Sequence, residues 1–129
     1  MYKFSEKSEQ KLQTCHADLQ AVMRKAITLT NFIVIDGARD EAAQNAAFTA
    51  GKSKLKYPQS KHNQLPSLAV DIAPFPLDWN NRERFVFLAG VVIATAAQMG
   101  IALRWGGDWN KNGEISDNKF DDLVHFELI

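Results

Sequence analysis

Apolar residues Leu12, Cys15, Leu19, Val22, Met23, Ala26 and Ile27 recur every three or four positions, which lines one face of a helix. A first helix is therefore predicted from about Ser8 to Leu29, with His16 at the edge of its stripe as a packed or surface histidine. Phe32 to Ile35 reads as a short apolar strand ended by Asp36-Gly37, and Asp40 to Ala50 as a helix stopped by Gly51. From Leu68 to Ala73 the pattern changes to alternation. Leu68, Val70 and Ile72 are expected to enter a core, while Ala69, Asp71 and Ala73 line the other face. Asn80 with Glu83 resembles a capping box for a third helix, whose apolar face carries Phe85, Leu88, Ala89, Val92, Ala96 and Met99 before Gly100. Leu103 to Trp105 is a further strand, leading through Gly106-Gly107 into a long polar loop. From Leu123 to Leu128 alternation returns, burying Val124, Phe126 and Leu128 and sending His125 and Glu127 outward together. The order helix, strand, helix, strand, helix, strand, strand predicts an α+β fold: a small, mainly antiparallel sheet against about three helices, the first behind the sheet.

The two alternating segments each carry a metal-type ligand opposite their apolar face. With His62 nine positions before Asp71, the chain offers His62, Asp71 and His125. Two imidazoles and a carboxylate suit zinc, and three protein ligands leave a fourth position for water or substrate. On spacing alone, hydrogen-bonded structural histidines remain the competing reading.

Ser60-Lys61-His62, Ala69-Val70-Asp71, Gly106-Gly107-Asp108-Trp109 and Asp122-Leu123-Val124-His125-Phe126-Glu127 follow one another in an order that resembles the motifs of the M15 zinc peptidases. Gly37-Ala38-Arg39 and Gln44 extend the likeness upstream. The nearest branch is that of phage endolysins acting as L-alanyl-D-glutamate peptidases; D-alanyl-D-alanine carboxypeptidases and dipeptidases are relatives. The resemblance implies Zn2+ held by His62, Asp71 and His125, and a general base at Asp122. It also implies substrate contacts from Arg39, Gln44 and Ser60, with peptidoglycan stem peptides as substrate.

Asp122 lies three positions before His125, and an odd offset in a regular strand separates the two faces. Asp122 is thus expected in the turn before the strand, with Asp121 as the competing base. Glu127 could accept the second His125 proton and fix its tautomer, or simply face solvent. A guanidinium at Arg39 could hold a substrate carboxylate or an oxyanion; a surface ion pair is the plainer reading. Ser60 is read either as a substrate hydrogen bond or as a turn former. Between His62 and Asp71 the link Asn63 to Leu68 departs from many relatives, which are shorter and have glycine near Ser67. Lys52, Lys54, Lys56 and Lys61 make the approach basic, and a solvated loop is the preferred explanation.

Asp108, Asn110, Asn112 and Glu114 place oxygen side chains at alternate positions, with Gly113 after the third, as in the opening of an EF-hand calcium loop. Lys119 stands where the bidentate glutamate belongs, so a regulatory Ca2+ there would bind weakly. The alternative is a polar turn that positions Asp122 and His125. Trp105 and Trp109 are expected to wall the cleft or to join the core.

At 129 residues and 46% hydrophobic, the chain is read as a single peptidase domain over 1–129, without a separate wall-binding module. Fifteen basic and fifteen acidic residues cancel, which argues against nucleic acid and anionic membrane surfaces as partners. The single cysteine, Cys15, is assigned to packing. A charged N-terminus and no long apolar run predict neither signal peptide nor membrane span. The expectation is a monomer made in the host cytoplasm, and the resemblance implies a holin for access to the wall. Within the enzymes, the alternative is a D-alanyl-D-alanine carboxypeptidase or dipeptidase; outside them, a metal-containing wall-binding module without turnover, or an unrelated scaffold.

Overall fold

The computed structural model describes residues 1–116 and 121–129. Its elements are helices α1 (Glu6–Leu12), α2 (Ala17–Ala26), α3 (Glu41–Thr49) and α4 (Arg82–Gln98), and strands β1 (Phe32–Asp36), β2 (Ala69–Pro74), β3 (Leu103–Gly106) and β4 (Asp122–Leu128). A 3-10 turn at Lys61–Asn63 precedes β2. The strands form one antiparallel sheet in the order β1-β2-β4-β3, as the α+β reading expects.

The predicted first helix is two helices. Ser5 caps α1, its Oγ accepting from Ser8 N, and His16 caps α2, its Nδ1 accepting from Asp18 N. Between them the backbone turns aside to pair with a distant segment: His16 N donates to Ser67 O at 2.8 Å and Ser67 N to Thr14 O at 2.9 Å. The apolar stripe survives the break because Leu12 and Leu19 still enter the same core. His16 is thereby a helix cap. The third helix begins one residue later than its predicted box: Asn81, not Asn80, accepts from Arg84 N, while Asn80 N donates to Asp78 Oδ1 in the preceding turn. Met99 closes α4 as a half-exposed C-cap rather than joining its buried face.

The central strand β2 is buried along its whole length, so Ala69, Asp71 and Ala73 are as covered as Val70 and Ile72. One face of the sheet presents Val34, Val70, Ile72 and Phe126 to α2 and α4, which bring Leu19, Val22, Met23, Leu88 and Val92. Trp105 belongs to that core, where its ring stacks on Phe126 and its Nε1 donates to Leu123 O at 2.9 Å. The opposite face carries the ionisable residues. No helix among the described residues is long and apolar enough to cross a membrane.

Candidate metal centre

Strand pairing assembles the centre. Asp71 of β2 stands directly across from His125 of β4, so two candidate ligands far apart in sequence become neighbours through register alone. His62 arrives on the 3-10 turn, where Ser60 Oγ accepts from His62 N and Asn63 Oδ1 accepts from Ser60 N. All three side chains are buried.

The hydrogen bonds fix which nitrogens face inward. Gly37 O can only accept, so His62 Nδ1, 2.7 Å away, must donate to it; the Glu127 carboxylate likewise takes the His125 Nε2 proton at 2.8 Å. The remaining lone pairs, on His62 Nε2 and His125 Nδ1, converge on Asp71 Oδ1. Separations are 3.1 Å from His62 to Asp71, 3.3 Å from His125 to Asp71, and 3.3 Å between the imidazoles. Three acceptors so close repel unless a cation lies among them. Zinc bonded at about 2.0–2.2 Å in a tetrahedron separates its ligands by about 3.3 Å, so the donor set fits this ion in both chemistry and spacing. Without metal, a proton fills the gap. Burial disfavours charge on His125, but bonds to Asp71 and Glu127 prevail and raise its pKa to about 9. Burial likewise opposes ionisation of Asp71, yet the two histidines hold its carboxyl far below the usual range.

Asp122 enters the same hollow, though not from a turn. It is the first residue of β4, and the sheet accommodates it by an irregularity: Trp105 pairs with Phe126 and Gly106 with Asp122, so one step on β3 spans four on β4. That bulge cancels the odd offset from His125 and corrects the expected placement. Burial, followed by the Asp71 charge, pushes the Asp122 pKa up to about 6 against the pull of His125, His62 and Arg39. The rival Asp121 is exposed and paired with Arg82 at 3.1 Å.

Arg39 is held from three sides. Its Nε donates to Asp36 at 2.5 Å, Nη2 to Asp71 Oδ2 at 2.7 Å and Nη1 to Gln44 Oε1 at 3.3 Å. A register shift between β1 and β2 brings Asp36 level with Asp71, which lets one guanidinium bridge both. Gln44, expected to touch substrate, has no accessible surface. Its amide instead reaches Ser53 Oγ and Leu55 O, at 3.0 and 2.6 Å, because α3 turns it inward against the following loop. Ser60 lines the hollow beside His62.

Asp36, Asn63 and Lys61 were missed as site residues. Asp36 had a signal, three positions before Arg39; Lys61, bonded to Leu128 O and 3.1 Å from Glu127, had none beyond its place beside His62. Asn63 Nδ2 donates to Arg39 O at 3.2 Å. The departure at Ser67 is structural: the residue is fully buried and its hydroxyl donates to Ala69 O. Trp109 lies against His125 with ring centroids 5.4 Å apart and walls the cleft. Cys15 is buried near β2, and burial pushes its thiol up to about 11, which suits packing.

The loop carrying Asp108, Asn110, Asn112 and Glu114 folds its oxygens onto its own backbone. Gly113 N donates to Asp108 Oδ2 at 2.9 Å and Glu114 N to Asn112 Oδ1 at 2.8 Å. Lys119 lies outside the described residues. His62, Asp71 and His125 form the cluster suited to a metal among the described residues.

Comparison with known proteins gives this geometry its context. The family model described as phage L-alanyl-D-glutamate peptidase matches residues 1–129. The L-alanyl-D-glutamate peptidase of Escherichia phage T5 is 35% identical over 121 residues, 90% of this chain and 88% of the relative. Among solved structures, the Serratia marcescens L-Ala D-Glu endopeptidase ChiX superposes with a TM-score of 0.77 at 30% identity, covering 99% of this chain and 91% of its own. With the family model matching residues 1–129 and a relative at 35% identity, the chain belongs to the phage L-alanyl-D-glutamate peptidase family.

Proposed function

We propose that this protein is a zinc-dependent endolysin that hydrolyses the L-alanyl-D-glutamate bond of peptidoglycan stem peptides. The observation that carries the reading is the convergence of three lone-pair donors, 3.1–3.3 Å apart, beside an acid whose pKa is raised toward neutrality. His62, Asp71 and His125 would hold the ion, which when bound supplies Lewis acidity for the scissile carbonyl and the attacking water. Asp122 takes the proton of that water and returns it to the departing amine of D-glutamate. Glu127 fixes the His125 tautomer. Arg39 holds Asp71 and Asp36 with one N–H each and keeps further N–H groups on Nη1 and Nη2 for a substrate oxygen, while Gln44 holds Arg39 in place; Ser60 is a second substrate contact, with its hydroxyl hydrogen available to a peptide carbonyl.

A weak regulatory Ca2+ at Asp108, Asn110, Asn112 and Glu114 is a subsidiary proposal, supported by a loop that coils on itself through Lys111 and Gly113 at φ 58° and 80°. Action as a monomeric enzyme on the wall after holin-dependent release completes the reading. Because both relatives are named for the L-alanyl-D-glutamate bond, that bond is preferred to D-alanyl-D-alanine.

The test is mass spectrometry of purified peptidoglycan digested with zinc and after chelation. New amino-terminal D-glutamate, formed only with metal, is expected; released D-alanine, or no product, would overturn the assignment.

A further inference from the structure

Two hollows meet over the metal centre and share Arg39, Lys52 and Asp122. Their charges are opposite. The smaller, about 320 Å3, is walled by Arg39, Lys52, Lys54 and Lys61 against Asp122 and Glu127. The larger, about 930 Å3, is walled by Asp36, Asp71, Asp121 and Asp122 against Arg39 and Lys52. Internal pairing narrows the contrast without removing it: Arg39 offsets part of Asp36 and Asp71, and Lys61 offsets Glu127, which leaves Lys52 and Lys54 against Asp122 in the smaller hollow. The Lys52 ammonium has no ion pair or hydrogen bond among the described residues, and Lys52 and Lys54 are both exposed.

The loop bearing these lysines is registered to the centre. Gln44, fully buried, binds Leu55 O and Ser53 Oγ with its amide nitrogen and receives Arg39 Nη1 on its oxygen, and Arg39 in turn holds Asp71. Tyr57 N adds a bond to Asn45 Oδ1 at 3.2 Å. Lys52 and Lys54 therefore sit on a wall fixed relative to the reacting bond.

The proposed substrate is equally lopsided. On the acyl side of the scissile bond stands alanine, with a neutral methyl. On the leaving side stands glutamate, which uses one carboxyl to continue the chain and keeps the other as a carboxylate, or as an amide where the wall is amidated. We propose that the cleft's charge polarity sets the direction of substrate binding, with Lys52 and Lys54 reading the free glutamate carboxylate in the cationic hollow and the alanyl side lying in the acidic one, where Ala43, Ala46 and Ala47 leave room. A carboxylate placed the other way would face Asp122 and a wall whose other acids, Asp36, Asp71 and Asp121, outnumber the Arg39 and Lys52 charges beside them, so the arrangement selects by repulsion as well as attraction.

This inference rests on the endopeptidase reading, and two synthetic stem peptides separate them: L-alanyl-γ-D-glutamyl-L-lysine and its D-isoglutamine counterpart. The zinc-loaded protein is expected to favour the carboxylate peptide in kcat/KM by roughly five- to tenfold, through KM. In the Lys52→Gln/Lys54→Gln double variant that ratio is expected to fall toward one, and Lys52→Glu to invert it, with metal content and circular dichroism unchanged. Cleavage of both peptides without discrimination, or discrimination that survives the double variant, would overturn the carboxylate reading and leave the peptidase assignment standing. Cleavage of neither would overturn both.

Discussion

The Asp71 carboxylate faces two imidazoles and a guanidinium at once, and that crowding dictates how the centre responds to protons. In the metal-free protein His125 is raised from 6.5 to about 9, so it is charged at neutral pH. Because its folded pKa lies above the unfolded one, the stability it contributes is complete below pH 6.5 and is lost as pH rises through 9. Zinc needs the lone pair that this proton occupies. Loading at pH 7.5 should therefore release about one proton per ion, measurable by calorimetry in buffers of different ionisation enthalpy; none released would place the metal elsewhere. Asp122 must be ionised to act as a base, so kcat/KM should fall as pH drops through its pKa. That pKa is about 6 without metal, and a neighbouring dication lowers it further, so the acidic limb belongs at or below pH 6. A limb above pH 7 would assign the base to another group. Asp122→Ala should keep zinc and lose about 10²–10⁴-fold in kcat, whereas His125→Ala should lose both metal and turnover.

Among the elements, β4 decides the most. Its bulge opposite Gly106 turns Asp122 onto the His125 face, and Gly106 permits this because a Cβ there would overlap the Asp122 carbonyl oxygen. Gly106→Ala should thus displace the base more than the ligands. Turnover is expected to drop at retained zinc content, with about 1–3 kcal/mol lost in chemical denaturation; unchanged kcat would show that the bulge does not set Asp122. Gly37 has a related role. Its carbonyl orients His62, and a side chain there would meet Thr14 Oγ1 and Lys11 O at the α1–α2 break.

For the molecule as a whole, the ligands come from the 3-10 turn, β2 and β4, and the ion would tie these segments together. At a hundredfold excess over Kd, zinc should add about 2.7 kcal/mol to unfolding free energy, and chelation should remove it. Thermal melts with and without chelator check this; equal melting temperatures would count against a structural contribution from the ion. The sequence by itself determined the candidate ligand types, the strands that carry Asp71 and His125, and the α+β class, because period-2 alternation and residue chemistry are local properties. It also made the order of motifs legible, with His62, Asp71, Asp122 and His125 in their places. Tertiary structure decided the rest. The break before His16 arises from pairing with Ser67, the convergence of Asp71 and His125 from strand register, and the inward turn of Gln44 from packing against the lysine loop. Each depends on a partner distant along the chain, and periodicity within a segment carries no information about which distant backbone will satisfy its hydrogen bonds.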